Sequence, residues 1–388
     1  MPYYKFPSNF QKFLPSKTLS VTSFIDFQFP PNGVPYPPKF MRVEKFYSGL
    51  PPTTEDASQV ANMAVPPESI IQALWELIRN KADTVKSIVC QHEPRAGGHR
   101  YPLHLVFNWK EVMRQCHIQE RWQKAVTNLC CNLDNNPIYV QVNSILPHLP
   151  WTGNLTGFTN TIDIHQLSAF LTDEWLTDDH ELIMLDILKQ DLAAADCADN
   201  VFIENTAFLT LLTVASQNQH EYNSSQAYEW IRNQGRDLAS GQKRYLATIV
   251  NQDNIHWTAL LLDFETGAIL FGDSYGKSMP PDLQLVLEWW IHYHTGRQFT
   301  YKNLTITRQT DHFSCGMLAW YALHCHLLSD KLQVWEAMVG RAETFVRLTQ
   351  HYLQKKVRNV FKFKNLNAYY YLERRKNGRW RRYHGFTS

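Results

Sequence analysis

The chain has no Cys-x-x-Cys pair. Its seven cysteines, Cys90, Cys116, Cys130, Cys131, Cys197, Cys315 and Cys325, are odd in number and scattered over 388 residues. That pattern excludes a disulfide framework and points to a reducing compartment. No apolar run approaches the eighteen or so residues that a membrane span needs, so no membrane partner is expected. The start, Met1-Pro2-Tyr3-Tyr4-Lys5-Phe6-Pro7, lacks the apolar core of a signal peptide. These absences imply an intracellular protein of the nucleus or cytoplasm. Charge is also sparse, at 19% of residues, while 44% are hydrophobic. That is enough apolar material for a packed core and excludes a disordered chain.

The small net charge of +2 hides an asymmetry. Residues 355–388 carry eleven Lys and Arg against one acid, Glu373, a net of +10 that leaves −8 for the rest. An acidic body with a basic tail is the better description. Within the tail, Arg374-Arg375-Lys376-Asn377-Gly378-Arg379-Trp380-Arg381-Arg382 places six basic residues in nine. Such a cluster suits nucleic acid or an import receptor, and equally a solvated end.

Taken in order, residues 1–66 are rich in Pro and aromatics and read as an irregular lead-in. Residues 67–150 read as a mostly helical region, with apolar spacing over Ile70–Ile78 and Trp109–Cys131. His92, His99 and His104 lie between those helices at no familiar metal spacing. Pro147-His148-Leu149-Pro150 marks a boundary. Residues 160–354 then alternate helices and strands, which says α+β. Asp178 with Glu181 three residues on reads as a capping-box start, with Trp175 as its staple. Further elements are expected as a helix over 225–233, a strand over 244–251, a helix over 283–294, a strand near 304–308 and a last helix over 341–354.

The chemistry gathers around Thr305 to Trp320. A polar turn leads into Cys315, and the following Met317, Leu318, Trp320 and Leu323 have helical apolar spacing. Cys315 would sit in the first turn of a helix, where the partial positive charge favours a thiolate. Gln309, six residues upstream, can turn its amide toward whatever that thiolate attacks. Gly316, with no Cβ, would let a substrate backbone approach. Two apolar runs, 257–262 and 268–272, joined by Asp263-Phe264-Glu265-Thr266-Gly267, form a β-hairpin. His256 enters the first strand and Asp273 leaves the second, so antiparallel pairing sets them side by side. A carboxylate there fixes the tautomer and orientation of the imidazole.

The order His256, Asp273, Gln309, Cys315, with Trp257 after the His and Ser274 after the Asp, resembles the ubiquitin-like-protein-specific cysteine proteases of the SUMO-protease type. The resemblance covers about residues 165–335. It implies a cysteine-protease fold with a central mixed or antiparallel sheet, and cleavage after the terminal Gly-Gly of a ubiquitin-like modifier, without a cofactor or metal. It also implies that Trp175 and Trp257 form a tunnel for the glycines and that Asp178 helps bind the modifier's surface. Ser314 and Thr177 depart from the family's frequent Asp and Asn, which bears on substrate choice.

Each residue alone has a plain alternative, since most buried cysteines are inert. A silent modifier-binding module is one rival. Phe271-Gly272-Asp273-Ser274 offers a second, a Gly-Asp-Ser esterase using Ser274, though that block belongs near an N-terminus with a parallel sheet after it. His324-Cys325-His326 cannot face one metal ion, because adjacent helical residues diverge by about 100°.

Overall fold

The computed structural model describes residues 8–30, 42–54, 63–80, 84–89, 99–330 and 336–360. The basic cluster at 374–382, Cys90 and His92 lie outside them.

The chain opens with two short helices, α1 (Ser8–Gln11) and α2 (Val21–Ile25). Strands β1 (Tyr47–Ser48), β2 (Ser87–Val89) and β3 (Arg100–Tyr101) form a small antiparallel sheet beside α3 (Glu68–Asn80). Helix α4 runs through His104–Leu133 and α5 through Pro137–Ile145. Asn136 caps α5 by accepting the Ile138 N–H at 3.0 Å, and Pro137 fills the first position, where no N–H is needed. Next come a 3₁₀ segment, Ile164–Leu171, and helix α6 (Asp178–Ala194).

The central sheet has the order β4-β5-β6-β7-β8. Its strands are β4 (Val201–Ile203), β5 (Tyr245–Gln252), β6 (His256–Asp263), β7 (Ala268–Gly272) and β8 (Thr300–Asn303). The β5–β6 and β6–β7 pairs are antiparallel, while β4–β5 and β7–β8 are parallel, so the sheet is mixed and the fold α+β. Helices α7 (Ala207–Gln217), α8 (Glu229–Ala239) and α9 (Pro281–Thr295) pack with one face. The other face carries α10 (Cys315–Leu327), α6 and α11 (Ala337–Val360). Strand alternation divides the side chains: Ala247, Ile249, Trp257, Ala259 and Leu261 enter the α10 core, whereas Leu246, Val250, Leu260 and Leu262 enter the α9 core. Every residue of β6 is buried, which rigidly fixes its first residue, His256.

Several expectations need correction. The strand placed near 304–308 lies at Thr300–Asn303 instead. After Leu304 donates to the Phe271 carbonyl at 2.9 Å, the chain leaves the sheet, and alternation in Thr305-Ile306-Thr307 found no partner strand. The 225–233 helix is a 3₁₀ turn, Gln226–Tyr228, followed by α8. The boundary near residue 150 does not divide the cores. Leu105, Trp109 and Val112 of α4 belong to an N-terminal cluster, while Trp122, Ala125 and Leu129 of the same helix join the core holding Cys315.

Nor is the lead-in wholly irregular. Phe24 stacks on Trp151 with centroids 4.0 Å apart and planes 8° apart, and Trp151 Nε1 donates to the Ser16 carbonyl at 2.8 Å. Gln119 Nε2 donates to the Phe24 and Phe27 carbonyls at 2.7 and 2.8 Å. Phe24→Ala should therefore cost about 3–5 kcal/mol, the usual range for emptying a buried aromatic site. Denaturant unfolding would measure it, and a loss under about 1 kcal/mol would mean that the arm is not part of the fold.

Candidate active site

Residue geometry at the β6–β7 end of the sheet follows from the hairpin register. Ala259 pairs with Gly272, so His256 and Asp273 emerge at the same edge. His256 Nε2 lies 3.2 Å from Asp273 Oδ1, and both side chains are nearly buried. With Nε2 facing the carboxylate, Nδ1 is the nitrogen left to take a proton from elsewhere.

Cys315 opens α10 and is buried. Burial pushes its thiol up, the Trp257 backbone N–H pulls it back, and the nearby Glu181 carboxyl adds to the rise. The helix terminus expected to favour a thiolate is therefore outweighed by desolvation. The Trp257 contact also fixes the place of the thiol, beside the residue that follows His256. Trp257 itself is buried and donates from Nε1 to the Leu176 carbonyl at 3.0 Å. Trp175, one residue before Leu176, is 53% exposed.

Gln309 is held at both ends. Its Oε1 accepts from Ser274 Oγ at 2.8 Å and its Nε2 donates to Asp311 Oδ1 at 3.1 Å. A carboxylate accepts only from the NH₂ end, which fixes the amide's orientation and leaves its second N–H free. Ser274 is fully buried with its hydroxyl committed to Gln309, which removes it as an esterase nucleophile.

Asp311 organises the turn before Cys315. It accepts from the Phe313 and Ser314 amides at 2.9 Å each and from Ser314 Oγ at 2.6 Å. Burial would raise this carboxyl, but the Ser314 hydroxyl and the two amides hold it below its ordinary value. The pattern Asp-x-Phe-Ser ahead of an apolar helix is a local side-chain-to-backbone signal that sequence reading passed over.

The α6 start differs from expectation. Thr177 is the N-cap, and His180, not Glu181, is its partner: His180 Nδ1 accepts from the Thr177 amide at 3.1 Å. His180 Nε2 then donates to the Gln166 carbonyl at 3.0 Å, which makes the ring the neutral Nε2–H tautomer. Burial pushes His180 down to about 4. Leu176, not Trp175, is the buried residue ahead of the cap. Asp178 is exposed in the first helical turn.

Glu181 instead lies against the start of α10, fully buried, and neither carboxyl oxygen has a hydrogen-bond partner among the described residues. Desolvation raises it well above the usual carboxylate range, against the pull of Arg341. A Cβ on Gly316 would overlap Glu181 Oε1. Glu181 thus fills the space that a Cβ at Gly316 would need.

Arg341 of α11, also fully buried, donates to the Phe313 carbonyl at 3.2 Å, to the Glu174 carbonyl at 2.7 Å and to the Ala169 carbonyl. Nothing in the sequence distinguished it from any arginine on a surface helix. The remaining histidine cluster disperses: His324 meets Asp191 at 3.0 Å, Cys325 is buried, and the His326 ring is edge-on to Tyr245.

Two outcomes are expected. Gly316→Ala should cost about 1–3 kcal/mol through overpacking, and Glu181→Ala should restore most of that loss in the double variant. Additive single effects in a thermal-unfolding cycle would count against the contact. For His180, the depressed folded value means that the unfolded state binds more protons between about 6.5 and about 4. Stability should fall as pH drops through that window, by up to a few kcal/mol, and His180→Gln should flatten the slope of urea midpoint against pH.

Residues 174–336 match the family model described as "Ulp1 protease family, C-terminal catalytic domain". Among curated proteins none matches the chain. Among solved structures, the C-terminal Ulp1 protease domain in complex with Smt3, the yeast ortholog of SUMO, shares 14% identity, with 58% of this chain and 97% of that chain covered and a TM-score of 0.42. The Xanthomonas campestris effector XopD bound to ubiquitin shares 21%, covering 47% of this chain and 91% of that one, with a TM-score of 0.33. Those scores are too low to add weight, and the assignment stands on the family model. Over residues 174–336 the chain is similar to the catalytic domain of the Ulp1 protease family, and it is a cysteine peptidase.

Proposed function

We propose that the chain hydrolyses the bond after the C-terminal Gly-Gly of a ubiquitin-like modifier of the SUMO type, in maturing precursors, in releasing conjugates, or in both. The observation that carries the reading is the buried His256–Asp273 pair, with Trp257, the next residue after His256, in backbone contact with a cysteine that heads a helix. Asp273 orients the imidazole, and His256 Nδ1 accepts the Cys315 proton. The thiolate attacks the glycyl carbonyl, forming a C–S bond. The free N–H of Gln309 and the Cys315 backbone N–H face the developing oxyanion, a class of contribution worth about 2.7–4 kcal/mol per donor. His256 returns its proton to the leaving amine as the C–N bond breaks. Water, deprotonated by the same imidazole, then releases the acid and regenerates the thiol.

Trp257 and Trp175 are the proposed walls for the two glycines. The Trp257 indole is anchored to the Leu176 carbonyl, so it is tied to the segment that presents Trp175. Exposure of Trp175 and Asp178 leaves both available to a modifier.

A panel of C-terminal vinyl-sulfone probes built on SUMO, ubiquitin and other modifiers tests the reading. A covalent adduct with the SUMO-type probe is expected, abolished by Cys315→Ser. Trp257→Ala should slow adduct formation at least tenfold, because the slot loses a wall. Labelling by no probe would overturn the substrate class and favour a silent binding module. Equal cleavage of Gly-Gly and Gly-Ala substrates would overturn the two-ring slot.

A further inference from the structure

Tyr275 touches three parts of the site that none of the roles above includes. Its ring lies over His256, with centroids 4.9 Å apart and planes inclined by 23°. Its backbone N–H donates to Asp273 Oδ1 at 2.7 Å, the oxygen that also faces His256. Its hydroxyl donates to the Asp311 carbonyl at 3.2 Å, and the Asp311 carboxylate in turn holds Gln309 and Ser314. The turn that delivers the ring closes with the Gly276 N–H donating to the Asp273 carbonyl at 2.8 Å. Gly276 has φ +78°, where a side chain would be strained and would meet Arg308. Tyr275 is nonetheless 42% exposed, so packing does not account for an aromatic ring held so firmly there.

We propose that Tyr275 is a positioning residue whose ring face stabilises the charged imidazole of His256 when the proton leaves Cys315. An aromatic face carries negative potential and attracts a cation lying over it. In the neutral pair, thiol and imidazole carry no charge for the ring to stabilise. In the ion pair, the proton sits on His256 Nδ1 and the cation lies under Tyr275. The ring thus acts selectively on the reactive state. Asp273, Asp311 and Cys315 are the titratable groups that act on Tyr275 itself. The inference rests on His256 serving as the base for Cys315, but it does not depend on which modifier is cut.

The test is alkylation of Cys315 by iodoacetamide as a function of pH in the full chain, with Cys315→Ser as the blank. Tyr275→Leu should lower the rate near neutral pH about fivefold, the size expected of a partly exposed cation–π contact. Tyr275→Phe, which keeps the face and loses the hydroxyl, should retain most of the rate. A second measurement follows the His256 imidazole by NMR in the Cys315→Ser background. Its midpoint should fall in the Leu variant and hold in the Phe variant. A Leu variant that matches the native protein in both measurements would overturn the proposal, as would a Phe variant as impaired as Leu. Neither measurement uses a modifier, so a failed substrate assignment would leave this result readable.

Discussion

Much of the active-site geometry depends on one buried guanidinium. Arg341 has no exposed surface, and it donates to carbonyls of two separate segments: Ala169 and Glu174 in one, Phe313 in the other. Burial pushes it down to about 10, against the pull of Asp311 and Glu181, so it keeps its charge at neutral pH. A buried charge is tolerated where its donors are engaged, as both terminal nitrogens of Arg341 are, although its Nε has no partner among the described residues. Here that requirement runs in both directions. The carbonyls of Phe313, two residues before Cys315, and Glu174, one before Trp175, are fixed to the same rigid fork. That fork links the loop before Cys315 to the segment that carries Trp175.

The electrostatics around Cys315 are a balance in which desolvation wins. A helix N-terminus and three backbone N–H groups draw the thiol down, yet burial and the Glu181 carboxyl leave it raised. A free-standing thiolate is therefore disfavoured, and the proton must go to a group that is itself prepared to hold it. In the proposed mechanism that group is His256, which has Asp273 at Nε2 and Tyr275 across its face. Asp311 supplies the remaining order by converting Phe313 and Ser314 amides, the Ser314 hydroxyl and the Gln309 amide into one fixed turn.

What the sequence made legible was periodic or ordered. The β6–β7 hairpin follows from two apolar runs and a Gly-containing turn, and its ends carry His256 and Asp273. The helix after Cys315 follows from apolar spacing. The illegible part consists of contacts between side chains far apart in the chain. Glu181 looked like a capping residue because its spacing from Asp178 suits one. His180 took that role because its ring could also reach the Gln166 carbonyl, a tertiary partner. No pattern announces that Glu181 will fill the Cβ position of Gly316. The 304–308 segment had the alternation of a strand, but strand formation also needs a free sheet edge in register, and alternation alone carries no such information.

The flanking regions acquire a physical role from the same contacts. Arg341 and Ala169 both lie outside residues 174–336, the stretch that matches the family model. Helix α4 adds to the support: Asn128 Nδ2 donates to the Leu171 carbonyl at 2.9 Å, and Arg121 meets Glu174 at 3.1 Å. The Arg121 pair is partly exposed and contributes little by itself. Trp122, fully buried, donates to the Trp151 carbonyl at 3.2 Å and packs edge-on against Phe345 of α11. These contacts come from both sides of the matched stretch, and those of Arg341, Asn128 and Arg121 land on residues 169–174, the segment immediately before Trp175. An exposed Trp can form a defined wall only if the backbone beneath it is immobile. The proposed wall at Trp175 needs a fixed backbone beneath it, and the long helix before the matched stretch and the last helix after it both bond to that backbone.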